Sequence, residues 1–185
     1  NRDESLAREA EPPAAVAGDP PFVAPRDAEA GGTWIGYNAA GVFAGITNRW
    51  VDVPGGGERS RGLLVRDVLR SESADAARET VEAAIDADTY DGFNLVVAER
   101  GGPDGDSAAY LFEWDGDFRT RRLDPGVHVV VNVGADGECI KAERNSEQES
   151  ERDRAQARNA ERVREALDPS SHASPAAWRE RAADV

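Results

Sequence analysis

The sequence predicts an α+β fold, a single domain of mostly antiparallel strands with helices packed on the sheet faces. Three observations carry that reading. Short β-rich runs joined by tight turns recur between Thr33 and Val133. Two amphipathic helical patterns interrupt them between Ser60 and Ile85. Two more helical patterns follow from Ser146 onward. With 185 residues, 39% of them apolar, the chain can bury a core of useful size.

From Ser5 to about Ala30 the chain is rich in proline, alanine and acids. Pro12, Pro13, Pro20, Pro21 and Pro25 argue against helix and against central strands, so this stretch is expected to wrap the surface in extended form. Thr33 to Tyr37 and Val42 to Thr47 then form a hairpin across Asn38 to Gly41. "VDVPGGGERS" is a glycine-rich loop, and Ser60 caps a short helix, "RGLLVRDVL", with Leu64, Val68 and Leu69 on one side. Ser71 or Ser73 caps the next helix, whose Ala77, Val81, Ala84 and Ile85 share a face. "FNLVVAE" is a strand, and "AAYLFEW" and "FRTRRL" pair across "DGD". "VHVVVNV" is apolar on both faces and reads as a central strand. Ser146 and Glu149 form a capping box for a charged helix that ends at Asp168-Pro169. Ser174 and Pro175 open the last helix, which carries Trp178 and Ala182 on one side.

Thirty-six acids against 22 basic residues give a net charge of −14, and Lys141 is the single lysine. Many carboxylates, scarce lysine and abundant alanine and glycine fit a high-salt cytoplasm, where screening shortens repulsion to about 3 Å at molar ionic strength. So acidic a surface disfavours nucleic acid and anionic membranes as partners. No apolar run is long enough to span a bilayer, so membrane insertion is not expected. One cysteine, Cys139, rules out an internal disulfide and cysteine-based zinc sites, and it reads as a structural or surface thiol. His128 and His172 show no metal-ligand spacing and read as a sheet and a loop histidine, so no metal site is assigned. The sequence lacks a phosphate-cradling loop, a nucleophile elbow and a haem-attachment motif.

The remaining candidates are polar residues at strand and helix ends. Asn48 closes "FAGITN" and Asn132 interrupts "HVVVNV". Each either pins a neighbouring loop or turns its amide toward a reacting oxyanion. Arg61 begins a helix, where unpaired backbone N–H groups favour an anion, although in so acidic a chain a surface pair with a carboxylate is the better account on the residue alone. Trp34 follows Gly31 and Gly32, which permit close backbone approach.

"NRDE" at Asn1 to Glu4, "RD" at Arg26 and Asp27, "GGTWIGYN" from Gly31, "FAGITN" ending at Asn48 and "SRG" from Ser60 occur in order. This series resembles the NRDE family, also called the transport and Golgi organisation protein family, in a haloarchaeal form. The resemblance is clear from Asn1 to Leu69, fainter through "PGVHVVVNVG", and absent from Asn145 on. It implies a preceding strand beginning Met-Cys-Thr, and further strands beyond Val185, so that residues 1–185 form a partial domain. The family in turn is similar to N-terminal-nucleophile hydrolases, which implies an αββα sandwich. There a leading cysteine attacks an amide and its own amine serves as base.

The resemblance places Asn1, Asp3, Trp34, Asn48, Arg61 and Asn132 at a ligand site. It implies binding or trafficking of a small molecule such as haem or an acyl-CoA or other lipid. An alternative is an amidohydrolase in which Asp3 orients the amine and Asn48 and Asn132 bind the oxyanion. This chain, lacking the leading cysteine, would then be inactive. A second alternative is a structural scaffold without a ligand. The oligomeric state is left open. The charge pattern makes one prediction of its own: thermal melting followed by circular dichroism should shift to higher temperature between dilute and molar KCl. An unmoved midpoint would refute adaptation to high salt.

Overall fold

A computed structural model describes residues 7–101, 107–139, 147–168, 170 and 174–183. The chain forms two compact units, divided at Leu123 and Asp124. The first holds seven strands: β1 (Ala10–Val16), β2 (Phe22–Asp27), β3 (Ile35–Asn38), β4 (Val42–Asn48), β5 (Phe93–Glu99), β6 (Ala108–Trp114) and β7 (Phe118–Arg122). They lie in sequence order in one sheet, every neighbouring pair antiparallel. Between β4 and β5 run α1 (Arg61–Val68) and α2 (Ala74–Ala87).

The core follows from strand alternation. Val42 and Ala44 of β4, Leu95 and Val97 of β5 and Phe112 of β6 share one sheet face by register, and all are buried. Leu64, Val65 and Val68 from α1, Leu69 at its C-terminal cap, and Ala77 and Val81 from α2 complete the same cluster. Ser60 caps α1 by accepting from the Gly62 amide, and Ser73 caps α2 by accepting from the Ala76 amide. Glu99 adds a second acceptor at α2, taking the Ala74 N–H at 2.9 Å and fixing the helix to the end of β5. On the opposite sheet face Ile35, Tyr37 and Phe43 are exposed.

The proline-rich segment departs from expectation. Rather than wrapping as an unpaired extended chain, it supplies β1 and β2. The prolines are tolerated because of where they fall. The β1–β2 register slips between Glu11 and Ala14, the stretch holding Pro12 and Pro13, and β1 is an edge strand. Pro25 lies beyond the part of β2 that pairs with β3, which is limited to Phe22 and Val23. No ladder hydrogen bond is asked of it there.

The second unit holds a small sheet of β8 (Val130–Val131), β9 (Gly134–Ala135) and β10 (Glu138–Cys139), followed by α3 (Glu147–Ala166) and α4 (Pro175–Ala183). Here "VHVVVNV" corrects the expectation from sequence. It is not a central strand: only two of its residues pair, and β8 lies at an edge. The chain turns at Asn132 and Val133 into Gly134, whose φ of 148° few side chains would adopt, so the apolar run breaks into a tight hairpin. Ser146, the expected capping residue of α3, lies outside the described residues, as do His172 and the side chain of Cys139. The α+β class with an antiparallel sheet stands, and the first unit is a sheet-and-helix layer pair of the kind an Ntn-like sandwich contains.

Two sequence motifs lock together in the first unit. After β2, Asp27 organises a turn: its carboxylate accepts from the Glu29 and Ala30 amides at 3.0 and 3.1 Å and from Arg8 Nε at 2.9 Å. Partial burial pushes this carboxyl up. The Ala30 amide, Arg8 and the Glu29 amide more than offset that, so it titrates below its ordinary range. The chain then reaches Gly32 and Thr33, and the Thr33 N–H donates to the Gly62 carbonyl at 2.9 Å. A Cβ on Gly32 would stand 2.3 Å from the Gly62 carbonyl carbon and 2.6 Å from the Leu63 nitrogen. Backbone meets backbone with no room for a side chain.

Gly32→Ala should therefore cost about 1–3 kcal/mol in urea denaturation, the range of overpacking into rigid surroundings. Gly126→Ala, where nothing lies closer than 4.0 Å, should be close to neutral. For Asp27 the lowered folded-state value means its stabilisation is present above the unfolded value of about 3.9 and is lost as pH falls through the folded one. Asp27→Asn should lower stability at pH 7 by roughly 1–2 kcal/mol for a charged acceptor. The deficit should shrink when the same unfolding curves are measured near pH 3.

Candidate functional site

The Gly32–Gly62 contact sets the corner where the motif residues gather. Trp34 follows directly, and its carbonyl accepts from the Ile46 N–H at 2.9 Å, tying it to the last part of β4. Asn48 is the final residue of β4, paired in register with Phe93 at the start of β5. Alternation puts its side chain on the helix-bearing face with Val42, Ala44 and Ile46. Arg61 is the first residue of α1. Its Nη1 donates to the Gly92 carbonyl at 2.9 Å, and the Arg49 N–H donates to that same oxygen at 2.9 Å. Gly92 is itself confined, since a Cβ there would stand 2.8 Å from the Arg49 carbonyl oxygen. Trp34, Asn48 and Arg61 thus belong to three segments fastened to one another at one end of the sheet. Arg61 reaches a backbone carbonyl there, which the simple reading of it as a surface partner for a carboxylate did not include.

Asn132 belongs to the second unit, in the β8–β9 turn. Its Oδ1 accepts from Gln156 Nε2 at 2.8 Å, and Gln156 Oε1 accepts from the Val133 N–H at 3.2 Å. The amide of Gln156 thereby pins the turn to α3. Asn1 and Asp3 lie outside the described residues.

A polar cluster missed in the sequence occupies the sheet face opposite the helices. Arg49 is 7% exposed. Its Nη1 donates to Asn94 Oδ1 at 2.7 Å and to Glu113 Oε1 at 2.6 Å, and its Nη2 lies 3.2 Å from Asp115 Oδ2. Asn94 Nδ2 donates on to Thr47 Oγ1 at 3.3 Å. Asp115 also bonds Arg119. Burial raises the Asp115 carboxyl, but Arg119 and then Arg49 outweigh it and hold it below the usual carboxylate range. Two cations and two carboxylates neutralise one another, as a guanidinium taken this far from water requires. Arg49 Nε is enclosed without a hydrogen-bond partner. The signal was present in the sequence: Asn94 interrupts "FNLVVAE" much as Asn132 interrupts "HVVVNV", and Arg49 directly follows Asn48.

The described residues offer iron little. His128 Nδ1 and Nε2 each lie 2.8 Å from an oxygen, of Asp136 and Asp124 respectively. Tyr90 and Tyr110 are buried or nearly so and bonded to Arg59 and Asp75. Tyr37 is an exposed phenol on the sheet face opposite the helices. Among the described residues no group of three or more His, Cys, Asp or Glu side chains could hold a metal ion. Among them, too, no helix is long and apolar enough to cross a membrane.

Comparison with known proteins fits this pattern of motifs. A family model, Transport and Golgi organisation 2, matches residues 1–180. The chain is 30% identical over 103 residues to the Transport and Golgi organization protein 2 homolog of Bos taurus, a stretch covering 56% of this chain and 37% of the relative. It is 28% identical over 107 residues to the corresponding Mus musculus homolog, covering 58% and 38%. The matched stretch is thus well under half the length of these curated relatives. With the family model spanning both units, the chain belongs to the Transport and Golgi organisation 2 family.

Proposed function

We propose that this chain binds a small amphipathic ligand bearing anionic groups, an acyl-CoA ester ahead of haem, and that the corner formed by Trp34, Asn48 and Arg61 receives it. The observation that supports this reading is the meeting of the "GGTW", "FAGITN" and "SRG" motifs at the start of α1. The first turn of α1 carries no acid. A phosphate or carboxylate placed there would meet the Arg61 guanidinium and the positive end of α1 together. Trp34 supplies an apolar surface beside it. The engaged ring of His128 and the scarcity of other accessible iron ligands among the described residues favour the thioester over haem. Binding rather than hydrolysis is the role assigned, because Asn48 and Arg61 are groups that hold an anion and not nucleophiles.

Titration of the chain in molar KCl with a medium-chain acyl-CoA, followed by tryptophan fluorescence, should show saturable binding. Arg61→Gln should weaken it roughly tenfold, the worth of one charge-assisted hydrogen bond at about 1.4 kcal/mol. Haem added under the same conditions should give a smaller response. Absence of binding by both ligands would overturn the proposal, as would an Arg61→Gln variant that binds as tightly as the parent.

A further inference from the structure

His128 lies in the second unit between two oxygens. Nδ1 is 2.8 Å from Asp136 Oδ2, and Nε2 is 2.8 Å from the Asp124 carbonyl oxygen. A carbonyl only accepts, and so does an ionised carboxylate. A neutral imidazole has one N–H and one lone pair, so it would set a lone pair against an oxygen on one side. The imidazolium, with two N–H groups, satisfies both sides at once. Asp136 is committed to this arrangement by its own backbone. Its φ is 51°, its N–H donates to the Val129 carbonyl at 3.0 Å, and its Oδ1 accepts from the Val129 N–H at 2.9 Å.

The charged groups of α3 that reach the same turn are Glu161 and Arg164. Glu161 Oε2 lies 3.6 Å from where a Cβ on Gly137 would stand, and Glu161 pairs with Arg164 at 2.8 Å. The Asp136 carboxylate adds to the field that keeps Arg164 charged, after the larger contribution of Glu161. Asp136 and Glu161 thus both act on Arg164, with Glu165 a further acid beside it, and Arg164 is already engaged by Glu161.

We infer that His128 is a proton-held latch: as an imidazolium it clamps the segment from Asp124 to the Asp136 turn, and loss of its proton opens the β8–β9 hairpin. The hairpin between the two clamped ends carries Asn132, so opening the latch also loosens the residue that Gln156 holds. The latch holds while Asp136 is ionised and the imidazole carries its second proton, and it yields as pH rises. All of its parts lie in the second unit, and the proposed ligand plays no role in it.

The test is a ring nitrogen spectrum of the full chain labelled with 15N-histidine, recorded at pH 7.5. The chain has two histidines, and His128→Gln assigns the signals. An ordinary histidine, with a pKa of about 6.5, is roughly nine-tenths neutral at that pH. Both nitrogens of His128 should instead appear protonated, and Asp136→Asn should return the ring toward the neutral form. Asparagine accepts the same backbone conformation, so that variant keeps the turn. In the parent chain, amide exchange at Val129 and Asp136, corrected for its intrinsic pH dependence, should accelerate at least tenfold once the ring loses its proton. One bare ring nitrogen at pH 7.5 in the parent chain would overturn the inference. So would exchange that does not change across the deprotonation.

Discussion

The Gly32–Gly62 contact is the constraint on which the first unit is arranged. A strand-to-strand turn and the opening of a helix press together backbone to backbone, through the Thr33 amide and the Gly62 carbonyl. Because no side chain intervenes, α1 starts at a fixed height against the sheet. Leu64, Val65 and Val68 then join Ala44 and its neighbours in one buried cluster. The same contact brings the residue after each glycine motif to one end of the sheet. Packing and site geometry thus share one origin, and a change there would be felt by both.

Charge is distributed in a related way. In a chain so rich in carboxylates, the arginines that are withdrawn from solvent serve as cross-links between segments. Arg49 joins β4 to β5 and β6. Arg59 reaches Asp67 of α1 at 2.5 Å and the Tyr90 hydroxyl at 2.6 Å, binding the glycine-rich loop both to α1 and to the turn that leads from α2 into β5. Arg61 fastens α1 to that same turn through Gly92. A planar guanidinium presents its donors in a rigid fork that spans oxygens on different segments, whereas a lysine ammonium is a compact point charge.

The helices α1 and α2, their caps and the strands β3 to β7 were legible in the sequence because each rests on local signals. Ser60 and Ser73 are caps, Leu64 and Val81 follow helical spacing, and "DGD" turns a hairpin. The strands β1 and β2 were not legible. Their prolines speak against pairing by the usual rule, and the register slip that accommodates Pro12 and Pro13 shows only once β1 is paired with β2. "VHVVVNV" misled for the opposite reason: apolar composition fits a central strand as well as it fits a hairpin broken at Gly134. Trp34, Asn48 and Arg61, the residues of the proposed site, were singled out in the sequence by their places at element ends. Arg49 was not, since a cation between two apolar segments looks like a surface residue until Glu113 and Asn94 arrive from distant strands.

The two rims of the seven-stranded sheet are unequal in sequence and alike in effect. Along β1, prolines and a slipped register deny an incoming strand a regular ladder of donors. Along β7, "FRTRR" sets a row of arginines where another copy of the same strand would have to approach, like charge against like. At high ionic strength, where electrostatic repulsion is weakest, the second safeguard fades and the first does not. In concentrated salt the β1 rim is thus guarded against fibrillar growth by covalent geometry, which no electrolyte can screen.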